Sequence, residues 1–73
     1  MRLSDCEPGQ GGRVVQVSGN GPASQRLMEM GMIEGAEVEV IRVAPFGGPM
    51  QVRLDDYRIS LRRTEAEGVE IAG

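Results

Sequence analysis

Apolar and polar residues alternate in short runs along this chain, and glycine or proline ends nearly every run, so only short elements fit between the breaks. PGQGG, Pro8 to Gly12, is a turn, and RVVQVS, Arg13 to Ser18, is rich in β-branched residues and predicts a strand. GNGP, Gly19 to Pro22, breaks it. Pro22 suits the first turn of a helix, where its missing N–H costs nothing. Ala23 to Met30 has helical propensity, with Ala23, Leu27 and Met30 on one face at i, i+4 and i+7. Gly31 then takes the left-handed position after the helix, and Met32 packs back on Leu27 in a Schellman cap. So short a helix does not hold in isolation, and its apolar face must dock on something.

The following pattern supplies a sheet. Ile33 to Ala36 is a turn with Gly35 at positive φ. Glu37 to Val43 points Val38 and Val40 inward, whereas Ile41 and Val43 fall on the opposite parity; a bulge or bend near Ile41 returns them to the core. The loop Ala44 to Pro49 leads to Met50 to Asp55, with Met50, Val52 and Leu54 on one face. Asp55 and Asp56 turn the chain into Tyr57 to Leu61, with Tyr57, Ile59 and Leu61 inward, which makes a hairpin. Thr64 to Glu67 carries a capping-box pattern for one helical turn, and Val69 to Ile71 is a last strand. The expected fold is mainly β: a small barrel of about five short antiparallel strands with one short α-helix over an opening, its closure removing exposed edges.

Length and composition narrow the picture. The 73 residues make a single domain, 1–73, with little chain to bury a core. One cysteine, Cys6, and no histidine rule out an internal disulfide and a closed Cys/His zinc site within one chain. No apolar run approaches the roughly 20 residues of a membrane span, and the N-terminus lacks the pattern of a signal peptide, so a cytoplasmic protein is expected. The net charge of −3 makes nucleic acid an unexpected partner. All eight basic residues are arginine, and five lie between Arg42 and Arg63; such a cluster can fork onto carboxylate or phosphate, and a solvated strand face uses arginine as readily.

The segments RLMEMGMIEGAEVEVI and APFGGPMQVRLDDYRISLRRTEAEGVEI, with a leading strand introduced by a PG turn, carry a resemblance. An Arg-Leu pair before a helix-ending glycine, a glycine turn into an acidic valine-rich strand, a GGP loop, and a strand running into Leu61-Arg62-Arg63 follow in that order. This set resembles the FeoA family of bacterial ferrous iron transport accessory proteins, which implies an SH3-like barrel. It also implies a role beside FeoB, a membrane protein with a GTPase domain that moves ferrous iron. Similar modules end DtxR-like metal-dependent repressors; with no DNA-binding half before Met1, that role is not expected. The resemblance brings no catalytic residues.

The candidate chemistry is weighed against packing. Met28, Met30 and Met32 form an M-x-M-x-M string of soft thioethers, but residues two apart on a helix point about 200° apart and do not converge on one ion. A weak or intermolecular transition-metal site involving Cys6, Glu7, Glu29, Glu34, Asp55 or Asp56 stays open. Cys6 and the serines lack a histidine base, so an enzyme is not expected. GNG before the helix lacks the Walker lysine and reads as a turn. Phe46, the only phenylalanine, sits on a Gly/Pro loop, where it is either a contact anchor or folded back over the barrel mouth. The expected partner-binding residues are Pro45 and Phe46, with Arg62 and Arg63 as charge partners, on a non-enzymatic module acting on FeoB. The alternative is a small metal-binding or metal-sensing domain that acts through metal-dependent self-association. A homodimer stays open.

Overall fold

The computed structural model describes residues 1–19 and 21–73; Asn20, inside the expected GNGP turn, lies outside the described residues. A 3₁₀ turn at Leu3–Asp5 precedes strand β1 (Gly11–Val17) and helix α1 (Pro22–Glu29). Strands β2 (Glu37–Val43), β3 (Met50–Leu54) and β4 (Tyr57–Leu61) follow, then helix α2 (Arg63–Glu67) and strand β5 (Val69–Ala72). All strand pairs are antiparallel, in the order β4-β3-β2-β1-β5.

The alternation in the sequence sets which face is buried. Val38, Val40, Met50, Val52, Leu54 and Leu61 form one continuous apolar surface, with Leu27 and Met32 laid over it. The register of β2 against β3 slips between Val40 and Arg42, the bulge expected from the parity change at Ile41; Val43 thereby packs partly against the core, whereas Ile41, at the bulge itself, does not join it, contrary to expectation. A second slip, between Val14 and Gln16, bends β1 against β5. Gly11 and Gly12 mark a close backbone approach: a Cβ would sit 2.1 Å from the Val38 carbonyl oxygen at Gly11 and 2.2 Å from that of Ala72 at Gly12. Only glycine lets β1 approach its two neighbours so closely.

The strand edges are handled by other parts of the chain. Beyond β5, Arg2 bridges to Glu70 and the Ile71 N–H donates to the Met1 carbonyl at 2.7 Å. β4 does not pair with β5, so the sheet is not closed by hydrogen bonds as the sequence suggests. Instead α1 runs beside β4: the Tyr57 hydroxyl donates to the Met30 carbonyl at one end, and Pro22 and Ala23 face Ser60 and Leu61 at the other. A helix shields that edge.

Helix α1 ends as its sequence predicts. Gly31 has φ +103°, the Met32 N–H reaches the Leu27 carbonyl at 2.9 Å, and the Gly31 N–H reaches that of Met28 at 3.0 Å, the two bonds of a Schellman cap. Met32 and Leu27 are both fully buried.

Three further expectations are corrected. Ala23 is exposed, and Ser24 takes its place beside Leu27 because the helix is rolled toward an i, i+3 stripe; the Ser24 hydroxyl donates to the Gly21 carbonyl at 3.1 Å. Tyr57 stands half out of the core because its hydroxyl needs a polar partner and finds the free carbonyl at the helix end. The capping contact at α2 is made by Glu65, whose Oε1 accepts the Arg62 N–H at 2.8 Å, two residues earlier than the expected Thr64–Glu67 pair. Leu3 and Cys6 belong to the core, brought there by the unforeseen 3₁₀ turn that packs on α2.

Candidate partner-docking end

One end of the sheet gathers the loop between β2 and β3, the end of β4 and the start of α1. The loop is drawn closed by the Ala44 N–H on the Pro49 carbonyl at 3.0 Å and the Gly48 N–H on the Pro45 carbonyl at 3.2 Å. Phe46 forms its tip with φ 58°, a left-handed conformation that L side chains adopt at a cost of about 1–2 kcal/mol. Its ring is fully exposed, which decides between the two placements the sequence allows: it does not fold over the barrel mouth. Pro45 is exposed beside it.

Arg62 and Arg63, adjacent in sequence, part company. Arg62 is exposed and lines a groove of about 550 Å³ together with Pro49, Ser60, Pro22 and Arg26, with Glu65 as part of its lining. Pro49, which closes the Phe46 loop, thus links the two candidate regions. Arg63 belongs to the first turn of α2, is half-buried, and its Nε is buried without a hydrogen-bond partner among the described residues. It lines no part of the groove.

Sequence reasoning missed Arg26 and Glu65. Arg26 Nη2 donates to Glu65 Oε2, tying α1 to α2, and the Glu65 side chain is only 5% exposed. Burial raises the Glu65 carboxyl pKa, but the Arg26 hydrogen bond, the Arg62 N–H and the two guanidinium charges outweigh it and hold the group below the usual carboxylate range. The signal for Arg26 was its place on the polar face of α1; nothing local announced its partner.

Elsewhere the acids do not gather round the sulfurs, although the Cys6 thiol lies 3.6 Å from Met1 Sδ. Among the described residues no three of His, Cys, Asp and Glu lie close enough together to hold an ion. Cys6 is buried, and burial first, then the charge of Asp5, push its thiol pKa up, so it is no ready thiolate. Met28 is exposed and Met32 buried, so the string is divided between surface and core. Asp55 is spent on tying its turn to β2, its carboxylate accepting the Glu37 N–H at 3.2 Å. On the outer sheet face Arg53 pairs with Glu39 at 2.7 Å and Arg13 with Glu37 at 3.7 Å; Arg42, Arg58 and Arg62 have no such partner among the described residues. No helix among the described residues is long and apolar enough to cross a membrane.

The class that this architecture defines is the small SH3-like barrel. A zinc complex of FeoA from Stenotrophomonas maltophilia, described as a prokaryotic SH3 domain protein, superposes with a TM-score of 0.85 at 30% identity, covering 99% of this chain and 89% of that one. The solution structure of FeoA from Chlorobium tepidum gives 0.87 at 35% identity, covering 97% of this chain and 68% of the other. A family model for the FeoA domain matches residues 1–72, and the chain belongs to that family. A curated relative, an Fe(2+) transport protein A/Fe(2+) transporter FeoB fusion protein of Porphyromonas gingivalis, is 38% identical over 71 residues. That match takes in 97% of this chain, which spans about 8% of the relative's length.

Proposed function

We propose that the protein is a non-enzymatic interaction module that docks on the cytosolic part of FeoB and supports ferrous iron uptake, with Pro45, Phe46 and Arg62 as its contact residues. The observation that carries this reading is Phe46: a fully exposed aromatic held at positive φ on a closed loop. Exposing a rigid phenyl ring and straining its backbone gains nothing for the isolated fold, whereas aromatic anchors supply much of the binding energy at interfaces. The relative in which the two components share one chain supports the choice of partner, because fusion keeps them at high local concentration. Arg63 contributes through its buried stem and first-turn position, so its contact with a partner is secondary to that of Arg62.

The test is binding of the purified chain to the cytosolic domain of the FeoB from the same organism, in nucleotide-bound and nucleotide-free forms. Phe46→Ala weakens the complex while its thermal unfolding stays unchanged. Undiminished binding sinks the reading. The zinc complex of the Stenotrophomonas relative motivates the other reading, metal-dependent self-association; sedimentation with and without Fe²⁺ separates the two.

A further inference from the structure

We infer that the groove between α1 and the end of β4 receives an acidic segment of the protein partner, with Arg62 and Arg26 as its carboxylate-binding residues. The inference rests on the partner reading above and adds the chemistry of what the partner must present.

Its basis is an imbalance of charge. The groove lining holds two guanidiniums, Arg26 and Arg62, against one carboxylate, Glu65, in a chain whose net charge is −3. Arg62 has no carboxylate partner among the described residues. Its backbone is held at the groove, because its own N–H is tied to Glu65 Oε1 at 2.8 Å, and its exposed guanidinium extends from that anchored point. Arg26 reaches Glu65 through Nη2 alone, which leaves the rest of its fork free. Glu65 anchors both arginines from beneath: one through the side chain, the other through the backbone. A carboxylate entering from solvent meets the Arg26 fork, held by Glu65, and the unpaired Arg62 guanidinium, without displacing the internal ion pair.

The walls suit a polypeptide. Pro22 and Pro49 contribute rigid apolar surface to the lining, and Ser60 contributes a hydroxyl. The groove adjoins the loop that carries Phe46 through Pro49, so an aromatic-accepting pocket and an acidic stretch on the same partner can be engaged together. A second copy of this chain is a poorer occupant, since two such ends would oppose Arg62 with Arg62.

The test uses a polyglutamate peptide titrated into the isotope-labelled full chain at low salt, followed by amide shifts. Expected are shifts concentrated at Ala23, Arg26, Ser60, Leu61 and Arg62. Affinity falls about tenfold in Arg62→Ala, the worth of one charge-assisted hydrogen-bonded contact, and is partly kept in Arg62→Lys. The amide spectrum of each variant checks that it is folded. Shifts spread equally over Arg13, Arg53 and Arg58, or an Arg62→Ala variant that binds as before, overturn the inference. So does inorganic phosphate that saturates the same amides as tightly, which would mark a free-anion site, or a peptide-independent dimer that protects them. Binding of the FeoB domain completes the assignment. If that domain does not bind while the peptide still occupies the groove, the partner reading fails and the acidic-ligand site stands. If it binds through Phe46 but is insensitive to Arg62→Ala, the groove assignment fails and the partner reading stands.

Discussion

Arg26 and Glu65, 39 positions apart in sequence, form an ion pair that joins the two helices, and the same carboxylate holds the Arg62 N–H at the start of α2. One side chain therefore positions the helix that shields β4 and the backbone that carries Arg62. The first consequence is a pH dependence. Because the folded-state pKa of Glu65 lies below its unfolded value, its contribution to stability is present above the ordinary carboxylate pKa and is lost as pH falls through the lowered value. Glu65→Gln should cost about 1–2 kcal/mol at neutral pH, a figure kept small because Arg26 is half exposed. Urea unfolding at neutral and strongly acid pH checks this: the gap between wild type and variant closes in acid.

Gly31 and Tyr57 meet at the end of α1. A Cβ on Gly31 would lie 2.9 Å from the Tyr57 hydroxyl, and the φ of +103° is unfavourable for any other residue. Gly31→Ala should lower stability by about 1–2 kcal/mol, read as a fall in melting temperature of roughly 4–8 °C per kcal/mol for a domain this small. Tyr57→Phe should cost about 0.5–1.5 kcal/mol by leaving the Met30 carbonyl without its donor.

The methionines separate by burial. Met32→Ala removes a fully buried side chain from beneath the Schellman cap and should cost about 2–5 kcal/mol. Met28→Ala, at an exposed position, should change stability by less than about 0.5 kcal/mol. Equal losses in chemical denaturation would contradict the division of the M-x-M-x-M string between core and surface.

At Phe46 strain and contact can be pulled apart. Phe46→Gly relieves the left-handed backbone and should leave the melting temperature unchanged or slightly raised, since the ring touches no core residue. Binding to the FeoB cytosolic domain should drop by about tenfold or more, the loss expected of an interface anchor. Calorimetry on the free chain and titration of the complex give the two readings separately.

Much of the architecture was legible in the chain. Period-two alternation placed Val38, Val40, Met50, Val52 and Leu54 in the core, because a pleated strand allows each residue only one of two faces. The parity break at Ile41 announced the bulge, and Gly31 after Leu27 announced the Schellman cap, since both are governed by contacts a few residues apart. The order of motifs along the chain carries the resemblance to the FeoA family by itself.

What lay beyond local pattern was decided by the tertiary structure. The roll of α1 that buries Ser24 and exposes Ala23 depends on the surface under the helix, which no window of its own sequence contains. The unpaired gap between β4 and β5, the burial of Leu3 and Cys6, and the outward turn of Tyr57 follow from how a short sheet is completed by pieces remote in the chain. The same holds for the groove: Arg26 and Arg62 are unremarkable surface arginines in sequence, and become a matched pair only because Glu65 draws both toward one carboxylate. Alternation and turn chemistry act over a few residues and can be read from the chain; charge pairing across 39 positions depends on distances that folding alone creates.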